Sequence, residues 1–308
     1  MLWNAFVSKA KNSTFLFNRD FMEYHNDRFD DFSVLVFKNK KLIGILPANR
    51  RDDKLFSHQG LSYGCFVVLK KVRILDYINT FNALLTWLQS KGFSEIIIKQ
   101  LPYIYNKHLA QEFEYILQKL DFKVVANNSY YVLDDLLHYK ANRNRLRAIK
   151  KAETQMTLTK TGMAFFWEDI LTKNLNNKFA VKPVHTLEEI TALQERFPKE
   201  IKFYAAKSED CIHAGVLLFI SGNVVHFQYS SGREDRDDTG ALDFLFDAII
   251  KKYSKSKYIS FGSAATDSTL KIDQGLAYWK ESFGAHIMPQ LTYAIKTDNN
   301  INLETTIK

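Results

Sequence analysis

Apolar positions along this chain fall into short runs that switch between a period of two and a period of about 3.6. Residues 32–37 and 41–47 are β-like runs flanking the turn Lys38-Asn39-Lys40, which predicts a hairpin. Pro47 ends the second run, because proline has no N–H to give to a ladder. Further on, Phe81, Leu84, Leu85 and Leu88 recur at helical spacing ahead of Gly92, predicting a helix over 76–91. A strand over 93–98, a helix over 107–120 and a strand over 129–133 follow. Before the hairpin, Ser13-Thr14 reads as a cap or turn leading into an aromatic-rich helix over 15–25.

The second half runs through the same order. Strands over 201–207 and 212–220 flank a turn at 208–210, then a β run at 226–229, a helix over 240–253, a strand over 257–261, a helix over 272–282 and a strand over 290–296. Gly44 falls where Gly215 falls, and 119–122 corresponds to 280–283, each running from Lys to Phe. This order predicts an α+β chain of two tandem domains, each a mixed, mostly antiparallel sheet flanked by helices. The expected boundaries are 1–139 and 140–308, with the C-terminal residues returning to the first domain. Residues 140–151 form a basic helix at the junction, with Leu146 and Ile149 on one side.

Composition narrows the class. A chain of 308 residues suits two domains, and 46% apolar with 25% charged residues is the balance of a soluble globular protein. The formal charge of +8 points to anionic partners such as phosphates, nucleotides, RNA or a membrane face, although a lysine-rich surface gives the same number. Cys65 and Cys211, one per half with no CxxC spacing, read as reduced buried thiols. The first residues lack a basic n-region and a continuous apolar core, and the longest apolar runs are strand length. A cytoplasmic protein with no transmembrane segment is therefore expected. The eight histidines are scattered without HxH or HxxxH spacing, so no metal site is expected. GxxxxGK[ST], GxSxG and strand-following GxGxxG are absent, which excludes P-loop NTPases, α/β-hydrolases and Rossmann dehydrogenases.

One loop carries candidate chemistry. Residues 233–241 join the strand at 226–230 to the helix that opens near Gly240, and such a turn leaves N–H groups and a helix dipole that favour an anion. Asp235, Asp237 and Asp238 place negative charge around it, so the segment reads either as a phosphate loop or as an ordinary capped turn.

Within that loop, Arg236-x-x-Thr239-Gly240-Ala241 resembles the Gln/Arg-x-x-Gly-x-Gly/Ala pattern of GNAT-superfamily acyltransferases, matching its first and last positions and missing the middle glycine. Residues 140–153, with Arg145, Arg147, Lys150, Lys151 and Ala152, are similar to the Arg/Asn-x-Ile-x-Lys-Ala segment that opens the second domain of Fem-like aminoacyl- and acyltransferases. The run from Gly275 to Gly284 resembles the Gly-Leu-x-x-Phe-Lys-x-x-Phe-Gly segment near the end of that family, and residues 13–64 also look like its bacterial members. The chain thus resembles a tandem GNAT, Fem-like protein over nearly its whole length. One departure is that the long helical hairpin of some Fem-type second domains has no room here.

The resemblance implies two GNAT-like domains and an N-acyltransferase that moves an acyl or aminoacyl group to an amine of a cell-envelope or polysaccharide precursor. It implies no resident cofactor. The donor would be acyl-CoA or aminoacyl-tRNA, and the missing hairpin favours acyl-CoA. Donor contacts would be Arg236, Gly240 and Ala241 in the second domain. There Lys280 would stabilise the oxyanion, and Tyr229 would give a proton to the leaving group. The small-molecule or nucleotide-linked acceptor would meet His58, Gln59, Tyr63 and Arg145. Residue types alone keep plainer readings open. Lys280 also reads as a solvated lysine in a last helical turn, Tyr229 as a core tyrosine and 57–64 as a strand-to-loop transition. Arg143, Arg145 and Arg147 likewise read as a solvated basic helix or as a phosphate clamp. The rival for the whole chain is a non-catalytic RNA- or nucleotide-binding protein, a degenerate transferase using helix 140–151.

Overall fold

Gly44 and Gly215 show what the repeat means physically. A Cβ on Gly44 would lie 2.5 Å from the Phe66 ring, and one on Gly215 would lie 2.3 Å from the ring of Phe166. In each half a phenyl ring lies directly on the strand backbone, and only glycine leaves room. The computed structural model describes residues 2–209, 211–234, 239–265 and 270–306. The chain divides into one unit of Met1–Asn127 with Gln290–Lys308 and another of Asn128–Pro289. The helix Arg143–Glu153, expected at the junction, lies within the second unit.

In the first unit, Val34–Lys38 and Lys41–Leu46 form the predicted hairpin. Its turn residues Asn39 and Lys40 sit at φ 48° and 62°, the left-handed pair that a tight two-residue hairpin turn requires. Asp30–Asp31, Asn49–Arg51 and Lys54–Phe56 pair antiparallel in turn. Lys54–Phe56 then runs parallel to Glu95–Lys99, which is antiparallel to residues 292–296. The parallel pair is joined across the helix Ile74–Ser90, which buries Ile78, Phe81, Leu85 and Leu88. Leu55, Ile96, Ile98 and Ile295 meet that face and the helix Glu112–Leu117 in one apolar core.

The second unit is built on a meander of Ile201–Ser208, Cys211–Ser221 and Val224–Gly232. Tyr258–Ser263 runs parallel to its last strand and antiparallel to the end of Phe122–Leu133. The helices Ala241–Lys252, Gln274–Glu281 and Arg143–Glu153 contribute to one core, in which Phe227, Phe246, Phe261 and Phe283 interlock. This is the α+β, mixed-sheet architecture the sequence predicts.

Local departures have local causes. The helix expected over 15–25 is three short pieces, Phe15–Phe17, Arg19–Met22 and Glu23–His25. Asn18 breaks it by adopting an extended backbone (ψ 136°) so that its side chain accepts from Asp20 N. The helix expected over 107–120 is reduced to Glu112–Leu117, because the Lys107 N–H donates to Lys11 O (2.8 Å) rather than to a helical turn. Helices at Leu2–Lys9, Lys173–Phe179 and Leu187–Arg196 were not predicted, nor was the π-helical stretch Phe166–Thr172. Among the described residues, no helix is long and apolar enough to cross a membrane.

Candidate functional site

The strands Val224–Gly232 and Tyr258–Ser263 are paired only from Val224↔Tyr258 to His226↔Ser260. On its other edge, Val224–Gly232 carries a bulge, since Leu218 pairs with Phe227 while Leu217 pairs with Tyr229, leaving Gln228 extra. A bulge bends a strand, and here it falls where the parallel partners part.

Lys280 occupies that place. Its helix starts at Asp273, whose carboxylate accepts from Leu276 N (2.8 Å), and packs through Trp279 and Ala277 on the core. Lys280 is only 4% exposed, and Nζ donates to Gly262 O (3.1 Å) and to Ser263 O. Gly262 sits at φ 69° in the left-handed region that favours glycine. The ammonium lies 6.0 Å from the Tyr131 ring centre. Burial pushes the lysine down to about 7. His226, with Nδ1 3.0 Å from Ser260 Oγ, is pushed down to about 4 by burial and then by the charge of Lys280. A solvated last-turn lysine does not describe this side chain. Lys119, its expected counterpart, is exposed.

The same helix also walls a cleft of about 830 Å³, lined by Arg145, Asn174, Ser231, Leu242, Asp243 and Trp279 among others; Lys280 itself is not in that lining. Asn142 caps the basic helix by accepting from Arg145 N (3.0 Å), which sends the Arg145 side chain over this cleft. Arg145 Nη1 donates to both oxygens of the buried Asp243 carboxylate (3.0 and 2.7 Å), and Trp279 Nε1 donates to Oδ1 of the same group (2.9 Å). Arg145 Nε is buried without a partner. Opposite, Asn174 Nδ2 donates to Ser231 Oγ and to Gly232 O, both at 2.7 Å.

Gly240 and Ala241 open the helix Ala241–Lys252, but their surroundings are not those of an open phosphate seat. A Cβ on Gly240 (φ 68°) would lie 2.4 Å from Ala148 O, so the basic helix rests directly on this N-terminus, and Ala241 is fully buried. Asp243 in the first turn already supplies the negative charge that the helix dipole favours. Arg236 lies outside the described residues, as do Asp235, Asp237 and Asp238.

Tyr229 is tied down elsewhere. Its hydroxyl is 2.7 Å from His185 Nδ1, accepts from His185 N (3.4 Å), and its ring meets the Trp167 edge at 4.9 Å. Its partner Leu217 alternates with Val216 and Leu218, which face the helices, so Tyr229 lies on the opposite face from the helix of Lys280. Burial pushes its phenol up to about 12. In the first unit, Tyr63 is buried between Phe17 and Tyr105, while His58 and Gln59 line a smaller cleft of about 260 Å³. Among the described residues no group of three or more His, Cys, Asp or Glu could hold a metal ion.

Asp243, Trp279 and Asn174 were not anticipated. Asp243 had one usable signal, an acid in the first turn of a helix facing a basic one. Asn174 had none.

No family model matches the chain, and no curated protein matches it. Among solved structures, FemX is similar with a TM-score of 0.68 at 11% identity, covering 95% of this chain and 94% of that one. L-PGS from Bacillus licheniformis gives 0.60 at 13% identity over 99% and 93% of the two chains. A conserved protein of unknown function from Bacteroides thetaiotaomicron VPI-5482 gives 0.62 at 12% identity over 96% of each. Identities this low speak to the fold alone. The chain shares the fold of FemX along nearly its full length.

Proposed function

We propose that the chain is an N-acyltransferase that moves an acyl or aminoacyl group onto an amine, with the chemistry in the second unit. The observation that carries this reading is the buried Lys280 ammonium where two parallel strands part, on a helix whose Gly275, Leu276 and Trp279 wall a cleft large enough for a substrate. The acceptor amine attacks the carbonyl carbon, the C–N bond forms, and negative charge collects on the carbonyl oxygen. Collapse then expels the donor's oxygen or sulfur, which leaves with a proton released by the amine. Two of the three Lys280 N–H groups are held by Gly262 O and Ser263 O, which leaves one for the oxyanion. Such a donor in a water-poor site is worth roughly a few kcal/mol. Tyr229 has no part in this scheme, because His185 holds its hydroxyl on the other face.

The same surroundings bear on the donor class. A diphosphate at the start of helix Ala241–Lys252 would meet Ala148 and the Asp243 carboxylate, which disfavours acyl-CoA seated in the usual GNAT manner. Arg143, Arg147, Lys150 and Lys151 are exposed along the helix that walls the cleft, which favours a polyanionic carrier such as aminoacyl-tRNA. The acceptor would be a nucleotide-linked amino sugar or peptide of a cell-envelope precursor, held in part by His58 and Gln59. Radiolabelled aminoacyl-tRNAs and acyl-CoAs, assayed against such amines in the cytoplasmic fraction and with pure protein, test the reading. Lys280→Met should lower the rate about 100-fold or more; unchanged turnover would remove the lysine from the mechanism. The exposed basic face also supports the non-catalytic alternative. A salt-dependent tRNA shift lost in Arg143→Glu/Arg147→Glu, without transfer to any amine, would favour that alternative.

A further inference from the structure

The first unit has a second cleft in which hydrogen-bond donors converge without an acid. Phe56, Ile97, Lys99 and Thr292 line it from the sheet face opposite the helices, and Ser57, His58 and Gln59 close it. Lys99 is largely buried, which lowers its pKa, and its Nζ donates to Leu61 O (2.9 Å), leaving two donors. Gln59 Oε1 is taken by Asn49 Nδ2 (3.0 Å), leaving its Nε2 donors unengaged by the described residues. His58 is 5% exposed, and its Nδ1 is buried with no partner. It is held at φ 68°, a left-handed conformation uncommon outside glycine. The constraint is visible: Gln59 N donates to Asn49 Oδ1 (2.7 Å) and Leu61 N to His58 O (3.1 Å). Asp31, which acts on His58 electrostatically, is ion-paired with Arg19 at 3.1 Å and does not line the cleft.

We infer that this cleft is a carboxylate-binding subsite, with Lys99 as the counter-ion and His58, Gln59 and Thr292 as the neutral polar groups around it. The charge count selects a carboxylate over a phosphate. His58 is pushed down to about 4 and is neutral at pH 7, so one ammonium balances one negative charge. A second negative charge on the ligand would find no further cation among the residues that line the cleft. The site deepens the reading in which the first unit receives the acceptor, since it specifies that the acceptor carries a free carboxylate.

Calorimetric titration of the full chain with N-acetylglycine, N-acetylglycinamide and inorganic phosphate tests this without any turnover. Its failure is therefore separable from failure of the transferase reading. N-acetylglycine should bind at least about tenfold more tightly than the amide or phosphate, and Lys99→Met should weaken it by about tenfold or more. Equal binding of the amide or phosphate, absence of saturable binding, or an unchanged Lys99→Met would overturn the assignment. If Lys99→Met does not unfold cooperatively, Gln59→Leu carries the same criterion.

Discussion

Replacing Lys280 by Met should change how stability depends on pH more than it changes stability at any one pH. The ordinary lysine value is 10.5 and burial brings Lys280 to about 7. At pH below 7 both folded and unfolded chains hold the proton, and keeping it in the fold costs about 5 kcal/mol. Between pH 7 and 10.5 only the unfolded chain keeps the proton. Wild-type stability therefore rises with pH across that window, by up to about 1.4 kcal/mol per pH unit, and the cost is gone above it. Lys280→Met does not titrate. It leaves Gly262 O and Ser263 O without their donor, a pH-independent loss of roughly 1–3 kcal/mol per carbonyl left dry. From pH 7, where the folded-state lysine is half titrated, to pH 9 the wild type should thus gain about 2.3 kcal/mol relative to the variant. His226 near 4 and Tyr130 near 12 lie outside this window, so they do not blur the difference. Urea unfolding of both proteins at pH 7, 8 and 9, followed by fluorescence and circular dichroism together, measures it. A difference that stays constant across the three pH values would mean that Lys280 is not a buried, depressed base.

Three further changes probe the surroundings. Asp243→Ala should cost about 3 kcal/mol in urea unfolding, because it strands Arg145 and Trp279 Nε1, with a loss below about 1 kcal/mol counting against a coupled network. Gly240→Ala combines a left-handed backbone with a Cβ placed 2.4 Å from Ala148 O, so the melting midpoint should fall by several degrees. Tyr229→Phe should lose about 1 kcal/mol of stability with its His185 contact and leave the transfer rate within about threefold; a rate loss near 100-fold would restore the tyrosine as an acid.

Legibility in the sequence followed the range of the interactions. The hairpins and the long amphipathic helices depend on neighbours a few residues away, and they were readable. The Gly44/Gly215 correspondence was readable as a repeat, but the Phe66 and Phe166 rings that require those glycines lie far off in the chain and were not. The stretch 157–200 was not. Lys173–Phe179 is too polar to show a helical period, although Thr186 and Glu189 form a capping box that announces the helix Leu187–Arg196. Candidate site residues could be picked out by type but not by circumstance. Arg145 and Asp243 are 98 positions apart and Tyr229 and His185 are 44 apart. A sequence therefore cannot reveal that one pair neutralises a helix start and the other locks a strand. Burial of Lys280 is likewise a tertiary fact, since the same lysine in the same last turn would be solvated on a surface helix.

The two units solve one backbone problem in opposite ways. In the first, Phe56 pairs with Ile97, and the carbonyl two residues on, Lys99 O, accepts from Gly64 N (2.6 Å) after residues 58–63 loop out. Ser57 adds stitches on both sides, with its N–H on Ile97 O and its hydroxyl accepting from Lys99 N. A Cβ on Gly64 would lie 2.0 Å from Ser57 O, so that closure is tight. In the second unit His226 pairs with Ser260, and the carbonyl two residues on, Gly262 O, accepts from Lys280 Nζ instead. A side-chain ammonium stands where the other copy uses a backbone N–H. A backbone N–H has one proton to give and is spent on closure, whereas an ammonium has three and keeps one after satisfying both carbonyls. The second arrangement leaves one N–H of a buried cation unspent at the point where the parallel strands part, and on that ground the chemistry is proposed for that unit.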